Sequence, residues 1–469
     1  MFSQLSDRIN YHDLEQKILK FWEEHRIFEK SISNREGKPQ FTFYEGPPTA
    51  NGRPGIHHMM ARTMKDLVCR YKTMLGYQVP RKAGWDTHGL PVEIEVEKML
   101  GFKHKDEIVK YGIARFNEEC KKSVWKYKAE WEDLTRVMGY WVDLGNPYVT
   151  FQNEYMESIW WALKQYFDKG LIYKGFKIQP YCPRCETPLS SHEVSLGYKE
   201  AKDPSVYVKM KVRGVDDTFF LVWTTTPWTL ISNVALAVHP DVDYVKVEQH
   251  GHKLILAEAR LSVLGEEYKV VERFKGSALV GKEYERLFSY HPAKEKGWYV
   301  VAAEFVTTED GSGVVHMAPA YGEDDYEAGK KYNLPMIHPV NKSGVFSPEV
   351  KEFAGKFVKD ADPDIISNLK QRGLVYKKDQ YLHSYPHCWR CTSPLLYYAR
   401  DSWYIRTTEY AKRMIDLNKT IKWVPKEVGE GRFGNWLEEN KDWALSRDRF
   451  WGTPLPIWVC EQCGHQKCV

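Results

Sequence analysis

Apolar residues recur at helical spacing over residues 13–29, where Leu14, Ile18, Phe21, Trp22 and Phe28 fall broadly on one face and Asp13 stands as the N-cap. A strand-like Phe41-Thr42-Phe43-Tyr44 follows and gives way to a Pro/Gly-rich turn ending in two adjacent histidines, Y-E-G-P-P-T-A-N-G-R-P-G-I-H-H over 44–58. The next stretch, about 57–75, carries Met60, Met64, Val68, Tyr71 and Leu75 at near-helical spacing, and Gly76 stops it. Tyr77-Gln78-Val79-Pro80 then reads as a second strand. Strand, helix and strand in this order predict a parallel βαβ unit and an open α/β sheet. Ligands of such sheets bind beyond the carboxyl ends of the strands, where Gly46-Pro47 and Gly84-Trp85-Asp86 are expected.

Residues 105–170 read as helix-rich and charged. Beyond about 200 the pattern changes to short β-rich runs separated by turns, among them 206–208, 219–223, 244–247 and 299–301. This block reads as a β-rich domain inserted into the first.

Composition adjusts this picture only slightly. The 469 residues suffice for roughly three domains at about 150 residues each. No apolar run of membrane-spanning length occurs, and Met1 to Asp7 lack a basic segment followed by an apolar one, so the expectation is a soluble cytoplasmic protein. A net charge of +4 neither demands nor excludes a nucleic-acid partner. The 17 tryptophans suit deep cores and pockets equally.

Six of the nine cysteines fall in C-x-x-C pairs: Cys182/Cys185, Cys388/Cys391 and Cys460/Cys463. Without an export signal, such pairs point to metal or redox chemistry more than to disulfides. The first two pairs flank the β-rich block, so their four thiolates are expected to meet at its stem as a closed tetrahedral zinc site; unrelated buried thiols are the plainer alternative. For Cys460/Cys463, either His465 and Cys468 complete a compact site or the other ligands lie outside this chain, the second being preferred.

Strand, glycine-rich turn and helix present backbone N–H groups to phosphates. His57 and His58 at the helix start can add imidazole donors, although isolated histidine pairs mostly just cap helices. Asp86 can hold a substrate ammonium, or equally cap the helix that contains Glu93, Glu95 and Glu97. The run L-V-W-T-T-T-P-W-T-L over 221–230 offers several hydroxyls to a small polar pocket, yet threonine-rich strands are ordinarily just strands. His316 and the carboxylates Glu323, Asp324 and Asp325 surround a turn that also reads as a solvated acidic loop.

Taken together, these segments closely resemble class I isoleucyl-tRNA synthetases over essentially the whole chain. The carriers are Y-E-G-P-P-T-A-N-G at 44–52, G-W-D-T-H-G-L-P-V-E at 84–93, Y-C-P-R-C at 181–185, W-T-T-T-P-W-T at 223–229, H-S-Y-P-H-C-W-R-C at 383–391 and S-R-D-R-F-W-G-T-P-L-P-I-W at 446–458. The G-W-D-x-H-G-L-P run separates this group from the valine and leucine enzymes, which share the layout.

The resemblance implies a Rossmann catalytic domain beginning at 1–181 and resuming at 401–469, a zinc-knuckle stem at 182–199 and 383–400, and an editing domain at 200–382. It implies that isoleucine and ATP form an adenylate, that pyrophosphate leaves and that the aminoacyl group passes to tRNA(Ile), with Mg²⁺ accompanying the ATP and the protein a monomer. Gly46, Pro47 and Asp86 would contact the amino acid, with Asp86 on its ammonium. The histidine signature, here Gly55, His57 and His58, would bind ATP phosphates and stabilise the charge of departing pyrophosphate. One methylene distinguishes valine from isoleucine by only about 1–3 kcal/mol, so a second, hydrolytic site is needed. Thr224, Thr225, Thr226, Thr229, Asn233, His316 and Asp325 match the family's editing motifs, Asp325 being preferred to Asp324 by its spacing from His316.

Two departures stand out. The family's signature reads H-x-G-H, whereas this chain, aligned on Pro54 and His58, reads Gly55-Ile56-His57-His58, as if the first and third positions were exchanged. The expectation is a compensated swap that reshapes the adenylate pocket against a bulky inhibitor such as mupirocin; a degraded site is the plainer alternative. The family's K-M-S-K-S loop and anticodon-binding domain are also missing, which reads as a fragment. A non-catalytic paralogue that binds an adenylate or RNA is the competing class, and a zinc-ribbon RNA-binding module accounts for the cysteines alone.

Overall fold

A computed structural model describes residues 9–49, 52–102, 105–265, 267–292 and 294–469. Met1 to Asp7, and Ala50 and Asn51 within the motif turn, lie outside the described residues. The chain divides into two compact units, Met1–Gly170 with Arg449–Val469, and Leu171–Asp448. The boundaries expected from sequence lay at 181 and 401. The stem strands Ile172–Cys182 and Leu396–Ile405 pair antiparallel along almost their whole length and join the second unit.

In the first unit a three-stranded parallel sheet is built from Phe43–Tyr44, Arg81–Trp85 and Asp143–Val149, in that order. The helix Ile56–Met74 connects the first two strands, completing the βαβ unit. The second strand begins at Arg81, four residues later than its apolar neighbours suggested; Gln78 makes only an isolated bridge to Gln40. Its sequence, R-K-A-G-W, reads as polar because Arg81 is buried, bonded through Nη2 to Thr73 Oγ1 at 2.7 Å and facing Asp66 at 3.8 Å. Gly84 is needed in this strand: a Cβ there would stand 2.2 Å from the Tyr148 ring of the neighbouring strand.

The first helix also differs from expectation. It spans Tyr11–Glu24, capped by the Asn10 side chain rather than by Asp13, and it breaks at Arg26, whose φ of 50° is left-handed; Ile27–Ser33 forms a separate helix. The helix Ile56–Met74 does not bury the apolar positions that give it its helical spacing. Its apolar stripe, Met60, Met64, Val68, Tyr71 and Leu75, is exposed, while Arg62, Cys69 and Thr73 are buried. Hydrogen bonds make that polar face compatible with burial: Arg62 donates to Thr135 at 2.6 Å and Thr73 receives Arg81.

The second unit holds a nine-stranded mixed sheet. Its strands include Tyr198–Lys211, Thr218–Thr224, Asp243–Gln249, Tyr299–Ala302 and Val315–Met317, covering all four β-rich runs expected from sequence. The strands that enter and leave this sheet, Tyr198–Lys211 and Val375–Pro386, pair antiparallel from Tyr198↔Pro386 to Val208↔Val375. The core between sheet and helices is formed by residues such as Val206, Phe220, Val222, Leu236, Tyr284, Val300, Ile365 and Leu369. Among the described residues no helix is long and apolar enough to cross a membrane.

Candidate functional site

At the carboxyl edge of the parallel sheet, Gly46 and Pro47 leave the first strand and Asp86 leaves the second. The two exits are tied together: the Asp86 N–H donates to Pro48 O at 3.0 Å, and Thr49 Oγ1 donates to Asp86 Oδ2 at 3.3 Å. The helix after Asp86, Leu90–Leu100, has Gly89 as its N-cap with no side-chain cap, so Asp86 is not that cap. Its half-buried carboxylate stands one residue past the strand end, at the mouth of the sheet.

The histidine turn lies after the first strand. Gly55 is the N-cap of Ile56–Met74, and its N–H donates to His58 Nδ1 at 2.9 Å. That bond assigns the proton of a neutral His58 to Nε2, leaving this atom as a donor. Burial, then His57 and Arg62, lower the His58 pKa, which favours the same neutral form. The His57 ring folds over the first position, 3.8 Å from the His58 ring centroid, so that a Cβ at Gly55 would stand 2.9 Å from His57 Cε1. The His57 ring therefore fills the space that a side chain at position 55 would take. His58 packs edge-on against Trp131, whose Nε1 donates to Gly52 O at 2.8 Å and fixes the turn.

Two supports of this edge were not evident from sequence. Buried Glu45 pairs with Lys65 at 2.6 Å and accepts the Tyr140 hydroxyl, while the Tyr148 hydroxyl donates to Glu45 O. Glu93, at the first turn of its helix, accepts the N–H groups of Phe450 and Trp451, both at 2.7 Å, and Arg449 at 3.0 Å. Trp451 Nε1 in turn donates to Thr87 O at 2.6 Å, so the motif at 84–93 and residues 449–451 form one assembly. In the sequence Glu93 stands as the last residue of the motif at 84–93, with no sign of the groups it holds.

In the second unit the strand Thr218–Thr224 ends at Thr224, and the turn after it, with the short helix Pro227–Ser232, brings Thr226 and Thr229 to the same place beside buried His316. Thr229 Oγ1 lies 3.0 Å and Thr224 Oγ1 3.4 Å from His316 Nε2, and Thr226 Oγ1 lies 3.3 Å from Thr224 and 3.2 Å from Thr229. Burial lowers the His316 pKa to about 4, keeping the imidazole neutral, and among the described residues its Nδ1 has no hydrogen-bond partner. Asp325 accepts the N–H of Ala318 at 2.8 Å, and burial raises its pKa to about 6, whereas Asp324 is exposed. Thr225 is half-buried beside this cluster in sequence. Asn233 stands apart: its amide is consumed by Ala235 O at 2.9 Å and the Tyr284 hydroxyl at 2.7 Å.

Asp362 went unnoticed in the sequence. It is buried and accepts the N–H of Trp228 at 2.7 Å, holding the threonine loop. Burial raises its pKa to about 8, against the opposing effects of the Trp228 bond and Lys359. A carboxyl whose native pKa exceeds its unfolded value keeps protons in the native state that the unfolded chain releases, so stability falls as pH rises from about 4 to 8. Asp362→Asn, which keeps an acceptor for Trp228, is expected to flatten that slope in urea unfolding measured across this window. An unchanged slope would show that Asp362 is not the titrating group.

Cys182, Cys185, Cys388 and Cys391 converge, with their sulfurs all within 4.8 Å of one another and Cys182 Sγ 3.4 Å from Cys391 Sγ. A tetrahedral zinc with Zn–S of about 2.3 Å needs sulfurs about 3.8 Å apart, so the donor set fits that ion. Among the described residues this is the one such group; Cys460 and Cys463 are exposed and Cys468 is buried, without gathering with His465 into a ligand set. Cys388→Ser is expected to remove bound zinc, about one equivalent per chain measured by atomic emission, and Cys460→Ser in this chain to leave it. Equal zinc contents in wild type and Cys388→Ser would refute the assignment.

A family model of class I tRNA synthetases (I, L, M and V) matches residues 17–469. The chain is 54% identical over 469 residues to an isoleucine–tRNA ligase of Clostridium acetobutylicum, covering 100% of this chain and 45% of that protein. It is 51% identical over 475 aligned residues to that of Thermus thermophilus, again covering 100% of this chain and 45% of the relative. An isoleucine–tRNA ligase of Bacillus thuringiensis is 53% identical over 455 residues, which make up 96% of this chain and 44% of the relative. The chain thus spans less than half the length of these relatives. With its parallel sheet, histidine turn and inserted β-rich unit, it belongs to the class I tRNA synthetases.

Proposed function

We propose that this chain forms the amino-acid-activating and editing part of an isoleucine–tRNA ligase. Isoleucine and ATP·Mg²⁺ give isoleucyl-adenylate and pyrophosphate, and the aminoacyl group then passes to tRNA(Ile). The observation that carries the reading is the tie between the two strand exits, Asp86 with Pro48 and Thr49, which sets a carboxylate at the mouth of the sheet next to the histidine turn. Asp86 holds the substrate ammonium by a charge-assisted bond beside Gly46 and Pro47. Nε2–H of His58, with His57 alongside, donates to phosphate oxygens of ATP and to departing pyrophosphate. Nothing here requires a covalent enzyme intermediate; the chemistry is positioning and charge stabilisation. Isoleucine-dependent ATP–pyrophosphate exchange by the protein carrying this chain tests the reading. Its absence would favour a non-catalytic adenylate- or RNA-binding paralogue.

Hydrolysis of mischarged valine is assigned to the threonine cluster. His316, neutral, orients hydroxyls of Thr224 and Thr229, and Asp325 receives the aminoacyl ammonium. The Cys182/Cys185/Cys388/Cys391 cluster holds a structural zinc; Cys460 and Cys463 would need ligands from outside this chain.

The exchanged signature is read as a compensated swap, supported by the His57 ring lying over Gly55. The double substitution Gly55→His with His57→Gly is expected to change exchange little and to strengthen inhibition by mupirocin. Either substitution alone is expected to do worse than the pair, because the single change crowds or empties the shared space. Unchanged inhibition in the double variant would end the resistance reading.

A further inference from the structure

A second polar concavity lies at the far end of the strand whose last residue carries the threonine cluster. It measures 580 Å³, beside the start of Thr218–Thr224, and presents Lys209, His250, His252 and Lys377 together with Gln249 and Tyr376. Among the described residues no carboxylate lines it. Among the described residues Lys209 has no carboxylate partner; its ammonium stands 5.3 Å from the Phe219 ring centroid, and burial lowers its pKa. Among the described residues Lys377 pairs only with exposed Asp379, at 3.2 Å.

The donors are held in place by the fold. A tight hairpin turn, with His250 and Gly251 at φ of 50° and 77°, puts both histidines beside the cavity. His252 packs edge-on against Phe219, and its buried Nδ1 has no hydrogen-bond partner among the described residues. Gln249 is clamped, accepting the Tyr376 hydroxyl at 2.9 Å and donating to Leu264 O at 2.9 Å. Leu254 and Leu264 supply an apolar wall.

We propose that this concavity binds a nucleoside phosphate, with the phosphate on Lys209 and the histidines and the nucleoside against Tyr376 and the leucine wall. Three features favour this class. Several N–H donors, with no lining acid among the described residues, suit an anion. A volume of several hundred Å³ exceeds what a bare phosphate fills and is that of a small-molecule site. A tyrosine face and apolar wall beside the cations offer a stacking surface for a base. The nucleoside phosphate has two possible sources, a free mononucleotide or one residue of a single-stranded RNA. The site is remote in the sheet from His316 and does not depend on the ligase reading.

The test uses the whole chain and the imidazole NMR signals of His250 and His252, assigned with His250→Gln and His252→Gln. Probes are 5′-AMP and a hexa-adenylate RNA. Saturable shifts of both signals are expected in wild type, with affinity at least tenfold weaker in Lys209→Gln. The salt dependence should also fall in that variant. Shifts with both probes assign the site to mononucleotides, and shifts with hexa-adenylate alone assign it to RNA. Lys377→Gln, at an exposed amine, serves should Lys209→Gln lower the melting temperature. AMP bound only at the histidine turn would leave the His250 and His252 signals in place. No shift with either probe at millimolar concentration, or affinity unchanged in both lysine variants, would overturn the proposal.

Discussion

Glu93→Ala is expected to destabilise the first unit by about 3–5 kcal/mol, the range for breaking a buried ion pair by removing one partner. Its side chain is 1% exposed and that of Arg449 8%. The alanine would leave a guanidinium and the N–H groups of Phe450 and Trp451 without their shared acceptor. Unsatisfied buried donors cost more than the bonds they once made. Amide hydrogen exchange reads the effect locally: Phe450 and Trp451 should lose protection well beyond the change at the Thr224 loop. Glu93→Gln keeps one acceptor oxygen and is expected to fall between alanine and wild type. Protection at Phe450 and Trp451 unchanged in the alanine variant would refute this account.

The second large effect concerns Asp86. Under the proposed reaction, Asp86→Asn leaves an ammonium facing a neutral amide, a loss of about 2–5 kcal/mol for a desolvated charge pair. Isoleucine-dependent exchange should then fall by about 30- to 5,000-fold in kcat/KM for isoleucine. The KM for ATP should move little. Asparagine preserves the shape, and its Oδ1 can still accept the Thr49 hydroxyl, so the melting temperature is expected to stay near wild type. Exchange as fast as wild type would remove Asp86 from the amino-acid site and weaken the reading of the whole edge.

How much of this was legible beforehand varied with the physics involved. The helix after the histidine turn was placed within one residue at each end, because Gly76 ends it and the turn starts it. Which face it buries was not legible, since Arg62 and Thr73 find partners 73 and 8 residues away that no periodicity reveals. The second strand was placed too early for the same reason: buried Arg81 makes a core strand look polar. The break at Arg26 left no mark, because Leu14, Ile18 and Phe28 keep a helical rhythm straight through it. Cysteine spacing foretold the four-sulfur cluster, since thiols at two tight turns flanking one insertion have few other ways to be arranged. The threonine–histidine cluster was different. Thr224 and His316 are 92 residues apart, and only the family resemblance joined them. Asp362, 134 residues from the N–H it holds, was visible by neither route.

The antiparallel pairing of Tyr198–Lys211 with Val375–Pro386 has a consequence for how the protein is made. Val208 waits for Val375 while the intervening chain is synthesised, a delay of roughly ten to thirty seconds at ordinary ribosomal speed. Throughout that interval one edge of the strand has unbonded backbone groups on the nascent chain, open to mispairing. Lysines at 199, 202, 209 and 211 punctuate that edge, and such charges discourage foreign strands. The seam closes only near the end of the insertion's synthesis, and Cys388 and Cys391 emerge a few residues later, so the sulfur cluster can assemble only once the insertion has been made.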